Sequence, residues 1–262
     1  MDLNLKGKRA IVTGASAGIG RAIAHGLAQE GVDVAISARR PEPLAETARQ
    51  IAVETGATVI PLAGDMSRLE EVQRFVREAV AALGGLDILV NSAGTSSFGP
   101  FLDHPDEDWE EAMRLKYVSH IRASREAIPH LERAGGGVIV NIIGTGGKAY
   151  LRYHLAGGAS NAALMLLTTG LAAELGPLKI RVVGINPGPV RTERYDKLIA
   201  ALARYDNRTT DEVHQEFLTA TPTGEIPAAE DVAHLAVFLA SDRARQINGT
   251  IVTIDGGMVK TI

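Results

Sequence analysis

Thr13-Gly14-Ala15-Ser16-Ala17-Gly18-Ile19-Gly20 follows an apolar run, Ala10-Ile11-Val12, and precedes a helical pattern carrying Ile23, Ala24 and Leu27. A strand, a glycine-rich turn and a helix N-terminus in that order form a phosphate-binding device. Backbone N–H groups point outward, the helix dipole adds partial positive charge, and the glycines let a pyrophosphate approach closely. Glycines alone also mark ordinary turns. The strand before and the helix after are what point to a nucleotide loop.

Outward from this loop, apolar runs alternate with helical stretches. Further strands are expected at Val32–Ser37, Thr58–Leu62, Leu86–Val90, Gly137–Ile143, Ile180–Ile185 and Ile251–Ile254. Helices are expected up to about Val53, over Glu107 to about Arg133, over Ala159–Leu175 and over Ala228–Ala240. Gly64-Asp65-Met66-Ser67 reads as a loop passing into an N-cap, with Glu70 and Glu71 in the first helical turn. Gly137–Ile143 is almost continuously apolar, as suits a strand buried on both faces. Such alternation predicts an α/β fold: βαβ crossovers and a doubly wound, mainly parallel sheet with helices on both faces. The ligand is then expected beyond the carboxyl ends of the strands, where polar or glycine-rich loops follow strands one, four and six. No repeat, low-complexity tract or composition break interrupts the chain, so residues 1–262 are expected to form one domain.

The bulk numbers exclude several classes. Of 262 residues, 45% are hydrophobic and 22% charged, as in globular proteins. A net charge of −4 argues against a nucleic-acid footprint. With no cysteine there is no disulfide, thiolate chemistry or cysteine-held metal, and no metal is expected. The first eight residues lack the apolar stretch of a signal peptide, and no run approaches the roughly 18–20 apolar residues of a membrane helix. The expectation is a cytoplasmic protein with neither nucleic-acid nor membrane partner.

Thr13-Gly14-x-x-x-Gly18-x-Gly20, Asp65, Asn91-Ser92-Ala93-Gly94, Asn141, Pro187-Gly188 and Asp255-Gly256-Gly257 together resemble the classical short-chain dehydrogenase/reductase family, over nearly the whole chain and in the right order. The resemblance implies a Rossmann-type, seven-stranded NAD(P)-binding fold. It implies Gly14, Ser16, Gly18, Ile19 and Gly20 around a pyrophosphate, and Asp65 and Met66 by the adenine. Asn91, Ala93 and Gly94 would lie along the adenosine ribose, with Pro187, Gly188 and Val190 near the nicotinamide amide.

Which nicotinamide cofactor is bound is decided after the second strand. An acidic residue there accepts from the ribose hydroxyls of NAD and repels a 2′-phosphate, whereas arginine favours NADP. The chain has Ala38-Arg39-Arg40 and no carboxylate after Asp33 in that strand. Solvated surface charge is the plain alternative for these arginines; their position favours NADP over NAD, with Arg39 the contact. Ala17 counts slightly the other way, because NADP-preferring relatives often carry a basic residue there.

The catalytic pattern departs from the family. An Asn, Ser, Tyr and Lys tetrad is usual, its Tyr-x-x-x-Lys pair one helical turn apart on a shared face. Here Tyr117 is followed by Ile121, Tyr150 by His154 and Tyr153 by Gly157. Counting by the family's usual separations from Pro187-Gly188 and from Trp109 places the lysine position at Asn161, the tyrosine position at Gly157, the serine position at Gly144 and the asparagine position at Lys116. Asparagine and lysine are therefore exchanged, and Lys116 would set an ammonium near the vacated site; the plain alternative is a surface lysine. Tyr153, sharing a face with Gly157 if the helix starts early, and His154, with a pKa suited to neutral acid–base work, are the other candidate proton donors. Bland loop positions are the alternative for both.

Residues 191–225 are polar and irregularly helical, as expected of a lid over the substrate, with Arg194, Tyr195, Arg204, Tyr205 and Arg208 available to a polar or anionic one. Ala162, Ala163, Leu166 and Leu167 suit packing against a second copy, and the resemblance implies a homodimer or homotetramer. Two functions from different classes follow. One is an NADP-dependent oxidoreductase moving hydride between nicotinamide and a carbonyl or alcohol carbon with a non-standard proton donor. The other is a catalytically silent NADP-binding sensor or assembly subunit. A cofactor-retaining isomerase or dehydratase is a third.

Overall fold

A computed structural model describes residues 1–94 and 97–260. Arg9–Thr13 (β1), Asp33–Ser37 (β2), Val59–Pro61 (β3), Ile88–Asn91 (β4), Gly137–Ile142 (β5), Ile180–Pro187 (β6) and Ile251–Ile254 (β7) form one sheet in the order 3-2-1-4-5-6-7. Every pairing is parallel. The helices are Gly18–Gln29 (α1), Pro41–Thr55 (α2), Leu69–Leu83 (α3), Asp106–Ala112 (α4), Ser119–Arg133 (α5), Leu155–Leu175 (α6), Glu193–Asp206 (α7), Thr210–Ala220 (α8) and Ala229–Ala240 (α9).

Strand periodicity divides the core into two. Ala10 and Val12 of β1, Val138 and Val140 of β5 and Val183 of β6 join Ile23, Leu27, Leu44, Ile51 and Val232 from α1, α2 and α9. The intervening Ile11, Ile139 and Val182 join Phe75, Val76, Ala127, Leu131 and Ala172 from α3, α5 and α6. Side chains that alternate across a strand thus bury both faces, which is why these strands read as continuous apolar runs. The seven-stranded, doubly wound α/β expectation holds.

Buried polar groups fix the carboxyl edge. Thr13 Oγ1 accepts from the N–H groups of Ser92 and Ala93, each at 3.0 Å, and so pins the loop after β4 to the end of β1. Asn91 Nδ2 donates to Asn141 Oδ1 at 3.0 Å across the β4–β5 register, and Asn141 Nδ2 donates to Thr168 Oγ1 on α6 at 3.0 Å.

Four local expectations are corrected. The helix expected over Glu107–Arg133 is interrupted by a π-helical segment, Met113–Val118, between α4 and α5. α6 starts at Leu155 rather than Ala159, running through Gly157 and Gly158; a Cβ on Gly158 would stand 2.8 Å from Gly146 O, so the close packing there requires glycine. Leu155–Leu178 is long and apolar enough to cross a membrane, against the expectation that no run is. Part of it packs into the protein, with Ala156, Leu164 and Ala172 among the buried positions. Ser67 is not the N-cap of α3: its N–H donates to Asp65 Oδ1 at 2.9 Å, and Arg68 takes the cap position.

The segment 191–225 is more regular than its sequence implied. α7 and α8 share an apolar cluster, Tyr195, Leu198, Ile199, Leu202, Val213 and Phe217, and Thr209 with Glu212 forms a capping box at α8.

Candidate active site

A cleft of about 1520 Å³ lies at the carboxyl edge of the sheet. One end is the glycine loop. Ala17, the N-cap of α1, makes no side-chain cap, so the first amides of the helix are left for a ligand. Gly14 has φ +69°, and a Cβ there would stand 2.7 Å from Ala93 Cα; a Cβ on Gly20 would stand 2.3 Å from Gly14 O. These contacts explain two of the glycines by close backbone approach. A loop this tight in front of uncapped amides fits a pyrophosphate, and the volume exceeds the roughly 300–1,000 Å³ of an ordinary small-ligand pocket.

Of the residues expected around the dinucleotide, Gly14, Ser16, Gly18, Ile19, Gly20, Gly94, Pro187, Gly188 and Val190 line the cleft. Arg39, Asp65, Met66, Asn91 and Ala93 are not among its lining residues. Met66 is a core side chain at 4% exposure, and Asn91 Nδ2 donates to Ser124 Oγ and Asn141 Oδ1. Arg39 is exposed just beyond β2. Burial pushes the Asp65 carboxyl up, but the Ser67 contacts and the charges of Arg39 and Arg68 together hold it below its ordinary value.

At the other end stands Lys116, on the π-helical segment. Far from a surface lysine, it is 9% exposed. Its stem passes Gly94, where a Cβ would meet Lys116 Cγ at 3.1 Å, and its Nζ donates to Ile143 O at 2.7 Å, just past β5. Burial first, then the charge of Arg194, brings its pKa down to about 7. An inserted π turn re-aims the side chains of its helix, and such turns are frequent at functional sites.

Asn161, 1% exposed on α6, faces the loop after β5. A Cβ on Gly144 would stand 2.9 Å from Asn161 Nδ2, and Asn161 Oδ1 has no hydrogen-bond partner among the described residues. Lys116, His154 and Asn161 all line the cleft.

The structure corrects the other two proton-donor expectations. Tyr153 does not share the face of Gly157: it precedes α6 at φ +59°, and its hydroxyl donates to Asp206 Oδ1 at 2.9 Å. That hydrogen bond to a carboxylate, with burial, raises its pKa, so it is turned away and made a poorer acid. His154 is in the cleft, but burial, then the charges of Lys116, Arg194 and His104, press its pKa down to about 3. It is neutral at pH 7, not poised near it.

Sequence reasoning passed over three residues. Phe98 stacks on His154 with ring centroids 4.9 Å apart. Thr192, N-cap of α7, lies 3.5 Å from where a Gly18 Cβ would stand, closing the loop after β6 over the glycine loop; a threonine just before an acidic helical turn was the available signal. His120, 1% exposed one turn after Lys116, has its pKa pressed to about 3 by burial and by Lys116, and carried no sequence signal.

The family model described as enoyl-(acyl carrier protein) reductase matches residues 14–259. D-beta-hydroxybutyrate dehydrogenase of Rhizobium meliloti is 33% identical over 252 residues, covering 95% of this chain and 98% of that one. The crystal structure of L-sorbose reductase from Gluconobacter frateurii, complexed with NADPH and L-sorbose, is 33% identical with a TM-score of 0.92 over 100% of both chains. A solved 7 alpha-hydroxysteroid dehydrogenase, complexed with NADH and 7-oxo glycochenodeoxycholic acid, is 32% identical with a TM-score of 0.91, covering 99% of this chain and 97% of that one.

Proposed function

The chain belongs to the classical short-chain dehydrogenase/reductase family of NAD(P)-dependent oxidoreductases, and from that premise we propose that it works on a carbonyl or alcohol carbon with NADP, Lys116 taking the part of the proton donor. One observation carries the reading: an ammonium held inside the cleft on Ile143 O with a pKa of about 7. The glycine loop, Gly14 to Gly20, would hold NADP(H), which would supply or accept the hydride. Protonated Lys116 delivers a proton to the oxygen of a carbonyl being reduced; neutral Lys116 removes it from an alcohol being oxidised. Burial makes either state of the amine accessible near neutrality. Asn161 offers Oδ1 as an orphaned buried acceptor for a ribose hydroxyl or a water beside that amine.

Arg39 supports NADP: a guanidinium just past β2 is a fitting partner for a 2′-phosphate, and β2 ends without a carboxylate there. α7 and α8, with an apolar cluster of their own, suit the lid role. Leu166, 76% exposed on α6, supports a homodimer or homotetramer through this helix.

A second reading, a nucleotide-binding protein without turnover, is favoured by Gly144 and Gly157, which stand at the serine and tyrosine positions with no proton to give. NADPH fluorescence, together with nicotinamide absorbance over a broad carbonyl panel, separates the two. Binding with substrate-dependent oxidation that is lost in Lys116→Met supports the enzyme. Binding with no oxidation anywhere supports the silent protein, and no binding removes both.

A further inference from the structure

Gly144, where the family resemblance expects a serine, brings no hydroxyl to the cleft, but a serine lines it from another loop. This is Ser97, three residues beyond the Gly94 that the Lys116 stem passes. The backbone just after it is pinned from two sides. Gly99 N–H donates to Tyr153 O at 2.9 Å, and Phe98 O accepts from the Tyr205 hydroxyl at 3.3 Å. Ser97 Oγ lies 2.6 Å from Nε2 of His104, whose side chain is 2% exposed and packs on Trp109 with ring centroids 5.8 Å apart.

The surroundings of the imidazole set the direction of that short hydrogen bond. Asp108 Oδ2, in the first turn of α4, lies 3.4 Å from the same Nε2, and a carboxylate only accepts. Nδ1 is buried with no hydrogen-bond partner among the described residues, so a hydrogen there would be an unpaired buried donor. Both facts put the hydrogen on Nε2. Nε2–H then donates to Ser97 Oγ, and the serine keeps its own hydrogen for another acceptor. Ser97 Oγ makes no other hydrogen bond among the described residues. A hydrolytic triad runs the other way: its imidazole takes the hydroxyl proton and turns Nδ1–H to the carboxylate.

We infer that Ser97 donates a hydrogen bond to the carbonyl oxygen of the substrate, with His104 as the residue that positions it. The hydroxyl stabilises the negative charge that grows on that oxygen as hydride reaches the carbon. It gives up no proton; Lys116 remains the acid. In the reverse direction the same bond steadies the oxygen that Lys116 has deprotonated. The inference deepens the oxidoreductase reading of this cleft and rests on it.

NADPH-dependent reduction of a broad carbonyl panel that includes diacetyl, ethyl acetoacetate and benzaldehyde is the assay, with NADPH affinity read separately by fluorescence. Ser97→Ala should lower kcat by about 10²–10³ with KM changed less than about threefold and NADPH affinity unchanged, because the bond strengthens chiefly in the transition state. His104→Leu should repeat much of that loss. His104→Gln, whose amide donates from the place of Nε2, should recover at least about tenfold of it. Nitrogen NMR of isotope-labelled histidine, with the signal assigned by its disappearance in His104→Gln, should find the hydrogen on Nε2. Hydrogen on Nδ1, or a Ser97→Ala kcat within about twofold of wild type, overturns the inference alone. Wild-type protein that binds NADPH and reduces nothing in the panel strikes the oxidoreductase reading and this inference with it.

Discussion

Asn161 occupies the room that a side chain on Gly144 would need: a Cβ at Gly144 would stand 2.9 Å from Asn161 Nδ2. The two residues are a matched pair. Gly144 sits at φ +140°, its N–H donating to Asn186 Oδ1 at 3.2 Å, and the asparagine amide fills the space beneath it. Gly144→Ser should therefore destabilise by about 1–3 kcal/mol through overpacking and strain, without raising activity. Adding Asn161→Ala should recover part of that loss, because the clash is shared. Urea unfolding of both singles and the double measures the coupling; strict additivity would contradict the pairing.

Lys116→Met should lower carbonyl reduction by about 10²–10⁴ while leaving NADPH binding in place, as expected for a lost general acid. The wild-type reduction rate should fall as pH rises through about 7, where Lys116 gives up its proton, and alcohol oxidation should rise over the same range. A pH–rate profile in both directions checks it. A reduction rate that stays flat to pH 9 would be incompatible with this lysine as the acid.

The buried histidines make acid lability measurable. His120 takes up a proton near 6.5 when unfolded but only near 3 in the native protein. Between those values the unfolded chain binds more protons, so stability falls as pH drops from 6.5 toward 3, by about 1.4 kcal/mol per pH unit for such a group. His154 adds a second contribution of the same sign. Urea midpoints between pH 6 and pH 4 should decline less steeply in His120→Gln than in wild type.

Gly20→Ala places a Cβ 2.3 Å from Gly14 O. The backbone of the glycine loop must shift to admit it, which moves the amides aimed at the phosphates. NADPH affinity should fall by at least about tenfold, read by fluorescence, and the melting temperature should drop with it. Unchanged affinity would mean that the loop does not hold the pyrophosphate.

Arg39→Asp should reverse the nucleotide preference. Losing a guanidinium opposite a 2′-phosphate and gaining a carboxylate that repels it should shift the NADPH-to-NADH affinity ratio by about tenfold or more toward NADH. High salt should weaken NADPH binding in the wild type and much less in the variant.

The architecture was legible because its signals are local. The alternation of β1, β5 and β6 between two buried faces wrote near-continuous apolar runs, and Thr13–Gly20 carried both the turn and the helix start. Other features depend on neighbours distant in the chain. The helix expected from Ala159 starts at Leu155 and takes in Gly157 and Gly158, where the close approach of Gly146 O leaves no room for a Cβ at Gly158. Tyr153 looked one turn from Gly157, but its left-handed backbone sends the hydroxyl to Asp206, fifty-three residues on.

The sequence by itself determined the order of strands and helices, the glycine loop and the absence of a Tyr-x-x-x-Lys pair, because these are written in spacing along the chain. Only the tertiary structure decided the state of the groups that remain. Lys116 is an ordinary lysine at the level of sequence. It becomes an acid of pKa about 7 because it is buried on a π turn beside Arg194, and burial with the charges of Lys116, Arg194 and His104 keeps His154 neutral. A pKa is set by desolvation and by nearby charge, and those belong to the packed molecule rather than to any stretch of its chain.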